Sequence, residues 1–295
     1  MIKKIILIVS IMFCYFITNA KDFKNKKDTE INSNQYALIA GGSKGIGYAI
    51  AEALAKRHYN LILIARHEKD LIKAKNTLEQ FYKIHVEILV KDLSFESSAN
   101  EVLDFCIKKD IKLKMLCNVA GFGGVNDFLK LPDDTLRYMI HLNLESTVLL
   151  CSKFIPLLEK NAPSQILNVC SMAGFAPIPE KNLYAATKAA VLSFSYSLKY
   201  QLKEKNISVS CLCPGPVFTK PSIEKDTKEK LGWFGKKMAV PPYKVGEIAV
   251  RKTLKKRMII VPGFLANVSS GIIRVLPERF TTAMYYKLGK SKKKK

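Results

Sequence analysis

The sequence predicts a doubly wound α/β domain: a mostly parallel sheet of seven strands with helices on both faces. Three observations predict it. From residue 35 onward short apolar runs alternate with stretches of helical spacing. The runs are near-continuous, as when helices cover both faces of a parallel sheet, rather than alternating as in a half-exposed one. The first run passes through a glycine-rich turn straight into a helix.

Taken in order, the strands are expected at Tyr36 to Ala40, Leu61 to Ala65, Val86 to Val90, Met115 to Val119, Gln165 to Val169, Ile207 to Cys213 and Met258 to Val261. The helices are expected at Ile46 to His58, Lys69 to Phe81, Ser98 to Lys109, Asp133 to Leu158, Asn182 to Lys203 and Val245 to Lys256. In such a sheet, ligands bind beyond the carboxyl ends of the strands.

The turn reads Gly41-Gly42-Ser43-Lys44-Gly45-Ile46-Gly47. Glycine there permits a tight turn, close approach to a pyrophosphate and close helix–strand packing, and the helix N-terminus offers unpaired N–H groups to phosphate. Its place between first strand and first helix marks a dinucleotide site of Rossmann type. The second strand ends in Ala65-Arg66. A carboxylate there would accept from the ribose hydroxyls of NAD, whereas Arg66 offers a guanidinium to a 2′-phosphate, with Lys44 as a second cation, so NADP(H) is the expected cofactor.

Tyr184 and Lys188 stand four apart on one helical face, where an ammonium is expected to lower the phenol's pKa. The same spacing recurs at Tyr286 and Lys290, so the pair alone says little. Context separates the copies. Ser171, just past the fifth strand, stands thirteen residues before Tyr184, whereas Ile273 occupies that place before Tyr286. Only the first copy has a hydroxyl to orient a carbonyl oxygen at the ligand edge.

Over roughly residues 35 to 263 these features resemble the short-chain dehydrogenase/reductase family, classical type, in the branch near fatty-acyl, steroid and sphingoid ketone reductases. Gly41, Gly45 and Gly47 match its cofactor turn, with Ala40 where Thr is usual. Asp92-Leu93 is similar to its adenine-contacting segment. Asn118-Val119-Ala120-Gly121 resembles its Asn-Asn-Ala-Gly, with Val119 in place of an Asn. Pro214-Gly215-Pro216-Val217-Phe218-Thr219 is similar to the segment that covers the nicotinamide. The resemblance implies a tetrad of Asn143, Ser171, Tyr184 and Lys188. Tyr184 would donate a proton while hydride passes from the nicotinamide to a carbonyl carbon, Ser171 would hold the oxygen, and Lys188 would bind the ribose. Asn143 would keep a relay water. It also implies a homodimer or homotetramer through the two long helices.

Phe122, Phe128, Met172, Phe175, Ile178, Trp233, Phe234 and Met238 are expected around the pocket, an apolar set that suits a lipophilic ketone or secondary alcohol. A catalytically silent member that senses cofactor or binds lipid is the alternative.

The net charge of +23 lies mostly at the ends: residues 1 to 27 carry six Lys and one Asp, and residues 251 to 295 carry thirteen Lys or Arg and one Glu. A nucleic-acid binder would spread cationic stripes over its body, so an anionic membrane surface is the expected partner and no specific nucleic acid. Lys3 and Lys4, the apolar run Ile5 to Ile17 and Thr18-Asn19-Ala20 read equally as a signal peptide and as an uncleaved anchor. Residues 21 to 34 read as a linker, and residues 264 to 295 as a membrane-associated extension with a Lys-rich tail. The expected location is at a membrane, facing the cytoplasm, with export left open by the signal-like start. Seven irregularly spaced Cys are read as buried thiols in a reducing compartment. Cys211 and Cys213 share one strand face, a poor zinc pair, and no metal is expected.

Overall fold

The computed structural model describes residues 35–123, 128–219 and 237–290. The N-terminal segment and linker, Trp233, Phe234 and the tail Lys292 to Lys295 lie outside the described residues.

The elements run in the expected order. β1 (Tyr36–Ala40), α1 (Gly45–Ala55), β2 (Asn60–Ala65), α2 (Glu68–Tyr82), β3 (Val86–Val90) and α3 (Ser98–Lys108) form the first half. β4 (Leu113–Asn118), α4 (Asp133–Ile140), a π-helical turn (His141–Glu145), α5 (Ser146–Lys160), β5 (Ser164–Val169) and α6 (Asn182–Gln201) follow. The chain continues through β6 (Ile207–Leu212), α7 (Pro242–Leu254), β7 (Ile259–Ile260), α8 (Phe264–Val275) and α9 (Glu278–Lys290).

Seven parallel strands lie in the order β3-β2-β1-β4-β5-β6-β7. The order reverses between β1 and β4, which leaves a crevice at their carboxyl ends. Ala37 to Ala40 and Leu61 to Ile64 are wholly or almost wholly buried, which accounts for their unbroken apolarity. Arg57 at the end of α1 clamps α7 by donating to both carboxylate oxygens of Glu247, at 2.9 and 2.5 Å.

Two expected elements are divided. The stretch Asp133 to Leu158 is broken by the π turn, which adds a residue to one helical repeat at Asn143. The extension from residue 264, read as one segment, holds two helices parted at Leu276-Pro277, because proline has no N–H to continue α8. The extension is also tied to the body, since Ala266 and Ser270 of α8 are buried. β4 ends at Asn118 rather than Val119, and the N–H groups of Val119 and Ala120 both donate to the Ala40 carbonyl at 2.9 and 2.7 Å.

Candidate active site

The glycine turn closes the end of β1 and opens the crevice. Gly41 has φ +91°, and a Cβ there would lie 2.8 Å from the Ala120 nitrogen, so β1 and β4 approach at backbone distance. At Gly47 a Cβ would fall 1.9 Å from the Gly41 carbonyl oxygen. No side chain caps α1 at Lys44, so the first N–H groups of the helix lack a protein partner at its end. Thr219 lies against Gly45, 3.3 Å from a Cβ built there, and so brings the 214–219 segment over the turn. A backbone cradle with free N–H donors fits a dinucleotide pyrophosphate.

At the end of β2, Arg66 donates to the Tyr138 hydroxyl at 2.6 Å and lies 3.8 Å from Asp92. Tyr138 comes from α4 and packs edge-to-face on Phe122 with ring centroids 5.6 Å apart. Nothing in the sequence pointed to Tyr138, because only the crossover brings α4 to the β2 edge. Asp92 accepts from the Ser94 N–H and hydroxyl at 3.0 and 2.8 Å, which fixes the turn into α3. Lys44, expected as a second cation for the 2′-phosphate, is paired instead with Asp70 at 2.7 Å. Two expected cofactor contacts turn away from the crevice. The Leu93 side chain is in the apolar core. Asn118 is buried and donates to Asn168 Oδ1 at 2.8 Å and Cys151 Sγ at 3.3 Å, because alternate strand residues face the α5 layer.

Ser171, Tyr184, Lys188 and Asn143 converge at the carboxyl ends of β4 and β5. Ser171 follows β5, and its Oγ accepts from the Ala173 N–H at 3.1 Å. Its side chain stands close enough to the Tyr184 phenol to favour loss of the phenolic proton. Gly123 lies against the Tyr184 ring, where a Cβ would come within 2.8 Å of Cε2. One turn along α6, the buried Lys188 ammonium donates to the Val169 carbonyl at 3.0 Å and stands 5.9 Å from the Tyr184 ring centroid. The expected lowering of the phenol is reversed. Burial raises the Tyr184 pKa above its ordinary value, the Ser171 side chain opposing this in part, while burial lowers that of Lys188. Asn143 is fully buried in the π turn. Its Oδ1 accepts from the Phe122 N–H at 2.7 Å, and its Nδ2 donates to the Phe122 carbonyl at 2.8 Å and Thr187 Oγ1 at 3.2 Å. One amide hydrogen thus braces the loop after β4 and the other ties the π turn to α6.

Phe122, bonded to Asn143, is exposed beside the tetrad, Phe128 is exposed, and Arg274 of α8 lies over the Phe175 ring at 5.6 Å. A groove of about 400 Å³ runs along the outer face of α6 between Phe175, Ile178, Ala186 and Thr282, but no member of the tetrad lines it. Six cysteines, all those among the described residues, are free and buried. Cys211 and Cys213 are joined by Cys170, their three Sγ atoms lying within 4.8 Å of one another. Sequence spacing could not reveal this third thiol, since the pairing of β5 with β6 supplies it.

The family model for short chain dehydrogenases matches residues 35–230. The mouse very-long-chain 3-oxoacyl-CoA reductase is 30% identical over 201 residues, which are 66% of this chain and 64% of that protein. The match thus spans less than two thirds of that relative's length. A 7β-hydroxysteroid dehydrogenase superposes with a TM-score of 0.75 at 19% identity, over 85% of this chain and 96% of its own, and shows the shared fold. An alcohol dehydrogenase of the archaeon Thermococcus sibiricus, solved with 5-hydroxy-NADP, superposes with a TM-score of 0.66 at 26% identity, over 77% of this chain and 95% of its own.

Proposed function

Because the chain belongs to the short-chain dehydrogenase family of oxidoreductases, we propose that it is an NADP(H)-dependent reductase of lipophilic ketones. The observation that carries the proposal is the convergence of Ser171, Tyr184 and the buried Lys188 at the crevice, with the Lys188 ammonium 5.9 Å from the Tyr184 ring centroid one turn along the same helix. Bound NADPH would supply the hydride. Tyr184 donates its phenolic proton to the carbonyl oxygen, and the Ser171 hydroxyl holds that oxygen. Lys188 holds the cofactor ribose, and its charge favours the phenolate left behind. Asn143 keeps Phe122 in place beside them. The glycine turn and the α1 N-terminus hold the pyrophosphate, and Arg66 the 2′-phosphate. The 3-oxoacyl-CoA reductase activity that names the mouse relative, and the exposed Phe122 beside the tetrad, support a long-chain 3-oxoacyl thioester or a comparably apolar ketone as substrate.

The test is NADPH oxidation by the full chain in detergent with long-chain ketones and 3-oxoacyl thioesters. Tyr184→Phe lowers turnover about 10²- to 10⁴-fold, the span of general acid–base catalysis, while NADPH still binds. A variant that keeps most of its activity overturns the assignment. Tight NADPH binding with no turnover across the panel favours a cofactor-sensing protein.

The C-terminal helices are read as lying on an anionic membrane. Supporting this, Phe264, Val268, Ile272 and Val275 form one exposed stripe along α8, and Phe280, Tyr286 and Leu288 of α9 are exposed. The excess of Lys and Arg over residues 251 to 295 supplies the matching charge. No helix among the described residues is long and apolar enough to cross a membrane.

A further inference from the structure

β5 and β6 pair with Asn168 beside Cys211 and Val169 beside Leu212. Continuing that register past β5 sets Cys170 alongside Cys213, on the face that α6 covers. The Sγ atoms of Cys211 and Cys213 are 3.9 Å apart, and all three sulfurs lie within 4.8 Å of one another. Tetrahedral zinc with Zn–S bonds of about 2.3 Å sets its sulfurs about 3.8 Å apart. Three corners of such a site are therefore nearly in place, and none is tied up in a disulfide.

We propose that Cys170, Cys211 and Cys213 bind one thiophilic divalent ion, of the class of Zn²⁺ and Cd²⁺, and that filling this site switches off the neighbouring tetrad. Binding releases the three thiol protons and oxidises nothing. Three thiolates and a divalent ion leave one negative charge in an apolar layer, which needs a buried counter-charge. The Lys188 ammonium would supply it, being buried and bonded to the Val169 carbonyl that adjoins Cys170. The link to the tetrad is also covalent and direct. Cys170 precedes Ser171, and its thiol donates to the Ser171 carbonyl at 3.3 Å and the Lys188 carbonyl at 3.1 Å. Both bonds are lost when the thiol releases its proton to solvent as the ion binds. Packing leaves little slack, because a Cβ on Gly174 would come within 2.7 Å of the Cys170 sulfur.

The test titrates the full chain, reduced with a phosphine and free of metal, with Cd²⁺. Thiolate-to-metal absorbance and native mass spectrometry report binding, and NADPH oxidation reports activity. One Cd²⁺ per chain is expected, with activity falling at least tenfold at stoichiometric ion. Cys211→Ala and Cys213→Ala should keep their basal activity, bind Cd²⁺ at least tenfold more weakly and escape inhibition. No absorbance band, either in the folded chain or after refolding with Cd²⁺, overturns the site. So does a band that both variants retain unchanged. Should the variants fail to fold, mapping of the cysteines that Cd²⁺ shields from alkylation in the wild-type chain decides: shielding of these three supports the site, and shielding elsewhere refutes it. A band without inhibition overturns the coupling. The inhibition arm rests on the proposed reductase, but the absorbance arm does not, so the two readings can fail separately.

Discussion

Tyr184 shows how far a residue's environment departs from its neighbours in sequence. Four-residue spacing from a lysine suggests an acidified phenol, yet burial wins, and Lys188 turns its ammonium to the Val169 carbonyl. A phenol with a raised pKa is fully protonated at neutral pH and can serve as proton donor. Ketone reduction is then expected to be level through neutrality and to fall as pH rises through that pKa, as a pH profile of turnover at saturating substrate would record. A profile that instead rises with pH would count against Tyr184 as the donor. Arg66 makes a second case. Its guanidinium is held by Tyr138 and Asp92 at the β2 edge, the place proposed for a 2′-phosphate. Arg66→Asp should raise the KM for NADPH at least tenfold, in keeping with loss of a charge-assisted pair worth about 1.5–3 kcal/mol, and leave that for NADH nearly unchanged. Equal effects on both cofactors would sink the assignment.

Among elements, α1 carries the most, since its start faces the crevice and its end clamps α7. The Arg57–Glu247 pair depresses the Glu247 pKa chiefly by the guanidinium's hydrogen bonds. A depressed carboxylate adds stability that is complete above the unfolded pKa and is lost as pH falls through the folded one. Glu247 is 43% exposed, so the term is small: Glu247→Gln should cost under about 1 kcal/mol near pH 7. Urea unfolding is expected to show that gap closing in acid, below the ordinary carboxylate range. A gap that stays constant with pH would mean the clamp acts through packing alone. The π turn is the other informative element. Apolar residues keep helical spacing on either side of His141–Glu145, and a single five-residue turn is too short to show in that pattern. The sequence therefore places Asn143 on a helix without showing that its amide faces the Phe122 backbone.

For the whole molecule, charge and exposed apolar surface fall together at the C-terminal end. The full chain should sediment with vesicles containing anionic lipid and stay in solution with zwitterionic ones, and Ile272→Asp with Val275→Asp should weaken the binding at least tenfold. Equal binding to both vesicle types would remove the electrostatic part of the reading. The succession of strands and helices, the glycine turn and the Ser171, Tyr184 and Lys188 set were all legible in the chain, since each depends on local periodicity or on a motif with a fixed place in a parallel sheet. The Tyr138 contact to Arg66, the inward turn of Asn118 and Leu93 and the gathering of Cys170 with Cys211 and Cys213 were not. Each of these joins elements far apart in sequence, and each depends on crossovers and strand register that no local pattern records. The sequence by itself determined which groups the chain brings to the crevice; only the tertiary structure decided which of them meet, because burial and pairing are properties of neighbours in space.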